Sequence, residues 1–256
     1  MKSKQILLVL IFAFFAGPLW ADLPGTIVKV KPSVVIVGTF KTTNSPRFTL
    51  RGTGFVVGNG NRVITNAHVL LQPTEEDFET ALVIQVRTGE NDWQMRQAKV
   101  LEVDKVHDLA LLHFDGAAVP ALSVRDSSSV QEGQAVAFMG FPIGGALGFS
   151  PVTHRGMVSS IVKVALPTGS ARQLNEKTVR NLRAGNDFDV FQLDGTAYPG
   201  NSGGPLFDPE SGDVLGIVNM VFIKGTRESA LTNPSGITYA IPSRFIQQLL
   251  QRSRSD

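Results

Sequence analysis

Short runs of β-branched and aromatic residues, each closed by Gly, Asn, Asp or Pro, recur from residue 34 to residue 241 and restrict this chain to an all-β fold. The first series is Val34-Val35-Ile36-Val37, Gly54-Phe55-Val56-Val57, Arg62-Val63-Ile64-Thr65, Leu82-Val83-Ile84-Gln85-Val86 and Leu109-Ala110-Leu111-Leu112. The second is Ala135 to Met139, Met157 to Val162, Val190 to Leu193, Val214 to Val218 and Thr238 to Ile241. Gly58-Asn59-Gly60-Asn61 reads as a hairpin turn between two of these runs. A division near Pro120 to Glu132 gives two halves of similar size, each with its own strands, so the pattern predicts a sandwich or a pair of barrels. One helix is expected, from Ser243 through Leu250, with Ser243 capping its first turn. The polar stretch from Pro167 to Asp189 reads as a long loop.

The amino terminus has a different pattern. Met1-Lys2-Ser3-Lys4-Gln5 precedes an apolar run from Ile6 to Ala16 and then Gly17-Pro18-Leu19-Trp20-Ala21, the layout of a secretory signal peptide with cleavage after Ala21. The apolar run is too short to span a bilayer, so no stable membrane insertion is expected once the leader is removed; a retained leader acting as an anchor is the alternative. Lys2 and Lys4 account for the whole formal net charge of +2, so the mature chain is neutral and carries no footprint for nucleic acid. With 0 cysteines, an exported chain must rely on packed cores rather than disulfides. Neither a thiolate site nor a His-Glu-x-x-His pair is present, so no metal or other cofactor is implied.

Three short segments carry candidate chemistry. Gly200-Asn201-Ser202-Gly203-Gly204-Pro205-Leu206 surrounds a serine with glycines that permit a tight turn and aim the Gly200 and Ser202 amides at one point, as an oxyanion site requires; a Gly-rich turn between strands is the plain alternative. Thr65-Asn66-Ala67-His68-Val69 follows a strand end and presents His68 as a general base. Asp108 opens an apolar strand, where a buried carboxylate needs a partner such as the imidazole N–H of His68. The competing residues are weaker. Asp104 and Asp115 read as solvated loop residues, His107 and His113 as strand flanks, and His154 as a turn residue.

These segments resemble the Do-like (HtrA-type) serine proteases. The resemblance runs through Gly52 to Val57, Thr65 to Val69, Asp108 to Leu112, Gly140-Phe141-Pro142-Ile143-Gly144, Gly200 to Leu206 and Tyr239-Ala240-Ile241-Pro242-Ser243, in that order. It implies a trypsin-like fold of two six-stranded antiparallel barrels, the first about 26–120 and the second about 133–241, with a helix about 243–252, inside a domain of 22–256 that follows a leader of 1–21. It further implies a serine endopeptidase of unfolded or damaged polypeptides, acting through an acyl-enzyme with Ser202, His68 and Asp108, and located in the periplasm or cell exterior. The family's PDZ domains are not seen in this sequence. A catalytically silent peptide binder on the same fold is the alternative.

By the same resemblance, the primary specificity pocket draws on Thr196, Ala197 and Tyr198 with Val218, Asn219 and Met220, of which Ala197 and Met220 face the substrate. None is charged, so a medium aliphatic residue before the scissile bond is expected and a basic one disfavoured. Where digestive relatives carry an aspartate before the nucleophile, this chain has Asn201, so no activation by a freed amino terminus is expected. Control is expected instead from loop order around Gly144 to Gly148 and in the long loop.

Overall fold

A computed structural model of the chain describes residues 22–70, 79–89, 92–142, 149–164, 188–219 and 237–255. Its strands are Val34–Lys41 (β1), Phe48–Val57 (β2), Arg62–Asn66 (β3), Thr80–Arg87 (β4), Trp93–Asp104 (β5) and Leu109–Phe114 (β6), then Ala135–Gly140 (β7), Val152–Val164 (β8), Phe188–Asp194 (β9), Pro205–Phe207 (β10), Val214–Asn219 (β11) and Ile237–Pro242 (β12). The first six close into a barrel ordered β1-β2-β3-β6-β5-β4, and the second six into a barrel whose order, started from β7, is the same: β7-β8-β9-β12-β11-β10. Every strand pairing is antiparallel. The all-β, two-barrel expectation holds.

The unbroken apolar runs have a simple origin. Side chains alternate across a strand, and here both faces are buried. In β1, Val35 and Val37 fill the first barrel while Val34 and Ile36 face a core shared with the second. In β6, Leu112 points inward and Leu109 and Leu111 join the shared core, where they meet Met139, Phe141, Val190, Phe207 and Ile217. Phe138, Phe191, Leu193, Leu206 and Val218 fill the second barrel. The barrels therefore share one apolar seam as well as having their own interiors. Residues 115–134 are stitched to both sides, since the Leu122 N–H donates to the Val56 carbonyl (2.8 Å) and the Arg125 N–H to the Val214 carbonyl (3.0 Å).

Among the described residues two α-helices lie on this frame. Leu23–Val30 (α1) begins with Asp22, whose Oδ1 accepts from the Gly25 N–H at 3.1 Å, and docks through Thr26 Oγ1, which donates to the Glu210 carbonyl at 3.0 Å. Ser243–Ser255 (α2) covers the seam with Phe245, Ile246 and Leu249, whose spacing puts them on one face. Ser243 does not cap this helix as expected. Its hydroxyl donates to the Arg125 carbonyl (2.5 Å), and Ser127 Oγ accepts from the Arg244 N–H (3.1 Å) in its stead. Among the described residues no helix is long and apolar enough to cross a membrane.

Candidate active site

His68 sits on a 3-10 turn, Ala67–Val69, immediately after β3. Asp108 ends the turn between β5 and β6 with a φ of 52°, in the left-handed region. That conformation costs about 1–2 kcal/mol in a residue with a Cβ, although Asp tolerates it better than most. Bonds to the same residue offset the cost. Its carbonyl accepts from the Ala67 N–H (3.0 Å) and Asn66 Nδ2 (3.1 Å), while its carboxylate accepts from the His68 N–H at Oδ1 (2.8 Å) and meets His68 Nδ1 at Oδ2 (2.5 Å). Asn219 Nδ2 of β11 reaches across the seam to the same Oδ2 at 2.7 Å. Hydrogen bonds to a charged group are worth about 1.5–3 kcal/mol each, so they outweigh the backbone strain. The Asp108 side chain is 12% exposed and that of His68 32%, a buried acid beside an imidazole that opens to the cleft.

Ser202 approaches from the second barrel, in the connection between β9 and β10. The Thr53 N–H of β2 donates to the Ser202 carbonyl at 2.8 Å, and a Cβ added to Gly52 would lie 2.7 Å from Val69 Cγ2 and 2.9 Å from the Ser202 carbonyl oxygen. The serine turn is thus packed against the strand that backs the His68 turn. Its glycines are required by space and by backbone. Gly200 has φ +105° and Gly203 φ +87°, and a Cβ on either would run into a carbonyl, of Phe141 or of Thr53. The Asn201 N–H closes on the Tyr198 carbonyl (2.9 Å), so Tyr198-Pro199-Gly200-Asn201 forms a type II turn, with proline second and a positive-φ glycine third. Among the described residues neither the Gly200 nor the Ser202 N–H makes a hydrogen bond.

The expected pocket residues fall in different surroundings. Val218 turns its side chain into the second barrel's interior, where it packs in the same cluster as Ala197, and Asn219 directs its amide to Asp108. Thr196 and Tyr198 are half-buried. Met220, Gly144 to Gly148 and all but the last two residues of the long loop fall outside the described residues.

One histidine and one aspartate are placed differently from the sequence reading, His154 and Asp104. His154 belongs to β8, directly opposite Phe138 in the register, and its ring stacks on that phenylalanine (4.7 Å, 13°) with Nε2 3.5 Å from Asn201 Nδ2. Burial pushes its pKa down, so it is neutral at pH 7. His107 lies on Phe245 (4.0 Å, 20°), and its Nδ1 bonds Asp104 at 2.9 Å. Asp104 is 6% exposed rather than solvated. Burial raises its pKa, but the bonds from His107 and from Arg252 (2.6 Å) outweigh this and hold it well below the usual carboxylate range.

Two closed barrels with a His–Asp pair on one and a glycine-flanked serine on the other define the trypsin-like fold. The description "Trypsin-like peptidase domain" matches residues 52–217, and the chain belongs to that family. It is 31% identical over 205 residues to the "Probable periplasmic serine endoprotease DegP-like" of Marinomonas sp. (strain MWYL1), covering 80% of this chain and 36% of that one. It is 30% identical over 227 residues to the "Serine protease HTRA4" of Mus musculus, covering 87% and 39%. The chain thus spans under half the length of these curated relatives. Among solved structures, the HtrA-type protease AlgW with tripeptide aligns with a TM-score of 0.63 at 23% identity, over 90% of this chain and 62% of that one. At that identity the likeness supports the fold alone.

Proposed function

We propose that this chain is an exported serine endopeptidase that cleaves unfolded or damaged polypeptides. The observation that carries the reading is the Asp108 carboxylate, which bonds both the backbone and Nδ1 of His68 beside a serine turn with two unbonded amides. With Nδ1 held by Asp108, His68 Nε2 is the nitrogen left to accept a proton. Ser202 Oγ attacks the substrate carbonyl carbon as Nε2 takes its proton, and the oxyanion that forms is met by the Gly200 and Ser202 N–H groups. Collapse breaks the C–N bond, the proton passes from Nε2 to the leaving amine, and an ester remains on Ser202. Water, deprotonated by the same nitrogen, then releases the acid and restores the serine.

Export rests on the leader pattern and on the periplasmic name of a relative. Polypeptide substrates rest on the family and on an HtrA-type neighbour bound to a peptide. Thr196 and Tyr198 bring no charge to the pocket, which favours cleavage after aliphatic over basic residues. A fluorophosphonate probe should label the protein at Ser202, and wild type, but not Ser202→Ala, should digest casein with most cuts after Val, Leu, Ile or Ala. Peptide binding without labelling would favour the silent binder instead.

A further inference from the structure

The two amides of the serine turn are anchored differently. The peptide that carries the Ser202 N–H is fixed through its own carbonyl, because Asn201 O accepts from the Gly204 N–H at 2.9 Å. The peptide that carries the Gly200 N–H is not: among the described residues the Pro199 carbonyl accepts nothing. In a four-residue turn this central peptide is the one that distinguishes type I from type II, and the two orientations send its N–H to opposite sides. Glycine at the third position permits both. The Gly200 amide is therefore the half of the pair that can turn away.

Gly200 is held from the other barrel through its carbonyl, on the far side of the Cα from that amide. Thr53 Oγ1 donates to the Gly200 carbonyl at 2.6 Å and accepts from the Phe141 N–H at 3.1 Å. The proton assignment is unambiguous, since an amide N–H only donates and the single hydroxyl proton must go to the carbonyl. Thr53 is 0% exposed, so water is in no position to replace either bond. The carbonyl of Phe141 stands where a Gly200 Cβ would be, so the hydroxyl clamps together two segments already in contact. The main-chain N–H of Thr53 also holds the carbonyl two residues further on, that of Ser202.

We propose that Thr53 is a positioning residue, whose hydroxyl holds Gly200 from the first barrel and so keeps the Gly200 amide aimed at the oxyanion. The proposal rests on the serine peptidase reading. It predicts that Thr53→Val lowers kcat on a fluorogenic peptide about 10- to 100-fold with KM little changed, less than the roughly 10²–10³-fold expected for losing an oxyanion donor outright. Affinity for a peptide aldehyde, whose adduct places an oxyanion in the site, should fall in the same proportion, and Thr53→Ser should restore both to within about threefold of wild type. Where the valine variant does not fold at the assay temperature, Thr53→Ser against Thr53→Cys makes the same comparison, because both lose the methyl and differ only in hydroxyl against thiol. Equal damage from Ser and Val, or from Ser and Cys, would assign the effect to packing and overturn the proposal. So would a valine variant with wild-type kcat, or one changed in KM alone. Wild type that no fluorophosphonate labels at Ser202 would remove the peptidase reading itself, whereas a labelled wild type with kcat indifferent to Thr53→Val removes only the clamp.

Discussion

The two barrels share a strand order and treat their parts of the site in opposite ways. The first barrel supplies most of its own part: β3, the 3-10 turn and the β5–β6 turn give four of the bonds that fix Asp108 and His68, and among the described residues only Asn219 arrives from outside. The serine turn is held from both barrels: Val218 of β11 accepts from the Gly203 N–H and donates to the Gly204 carbonyl, and the first barrel adds the Thr53 N–H and hydroxyl. A short turn of glycines pays for its freedom with a need for outside support. The His68–Asp108 pair therefore belongs mainly to one barrel, while the Ser202 turn is braced from both.

The sharpest way to break this comparison is to remove one member from each side. Ser202→Ala and His68→Ala should each lower kcat by about 10⁵–10⁶-fold and leave the melting temperature nearly unchanged, and the double variant should be no worse, because the members act as a unit. Steady-state kinetics with thermal melts checks both points, and additive losses would show that the two barrels contribute separately. Asp108→Asn should cost about 10⁴-fold in kcat, since an amide that donates to Nδ1 imposes the wrong tautomer on His68. A milder loss than from Asp104→Asn would mean the wrong carboxylate had been chosen.

Asn219→Ala probes the bond that β11 of the second barrel makes to Asp108. It should reduce kcat by roughly tenfold without raising KM, because Asp108 keeps its bonds from His68. A loss as large as that of Asp108→Asn would show that the acid is not held by its own barrel. The smallest effect is expected on stability. Ionised Asp104 is favoured in the folded chain by His107 and Arg252, so its contribution is present above about pH 4 and is lost as pH falls below that value. Asp104→Asn should lower stability at pH 7 by about 2 kcal/mol, roughly 4–8 °C in Tm, and should flatten the dependence of Tm on pH between 5 and 3. Parallel curves for wild type and variant would assign the acid sensitivity elsewhere.

The sequence revealed what is local and repeated. Runs such as Val34 to Val37 and Leu109 to Leu112 advertise strands buried on both faces, and the glycines around Ser202 advertise a turn that only glycine fits. What escaped notice depends on partners distant in the chain. β5 is a long strand with many exposed side chains, Met95, Val100 and Leu101 among them, and is held in place by its neighbours rather than by its own pattern. α1 has eight residues and docks on Glu210, far along the chain. Asp104 reads as a loop acid because Arg252, its partner, is 148 residues away. Thr53 was visible inside Gly52-Thr53-Gly54, yet only the seam shows that its hydroxyl meets Gly200.

The matching strand order also puts His68 and Ser202 in equivalent connections, between the third and fourth strands of their barrels. During synthesis the first barrel leaves the ribosome with the His68–Asp108 pair while Ser202 is still to come. Ser202 follows nearly a hundred residues after Asp108, and its turn gains the Thr53 bonds only when the two barrels meet. On the proposed peptidase reading, His68 and Ser202 come together only when the halves dock, so a nascent or half-folded copy would be spared from cutting itself or its neighbours.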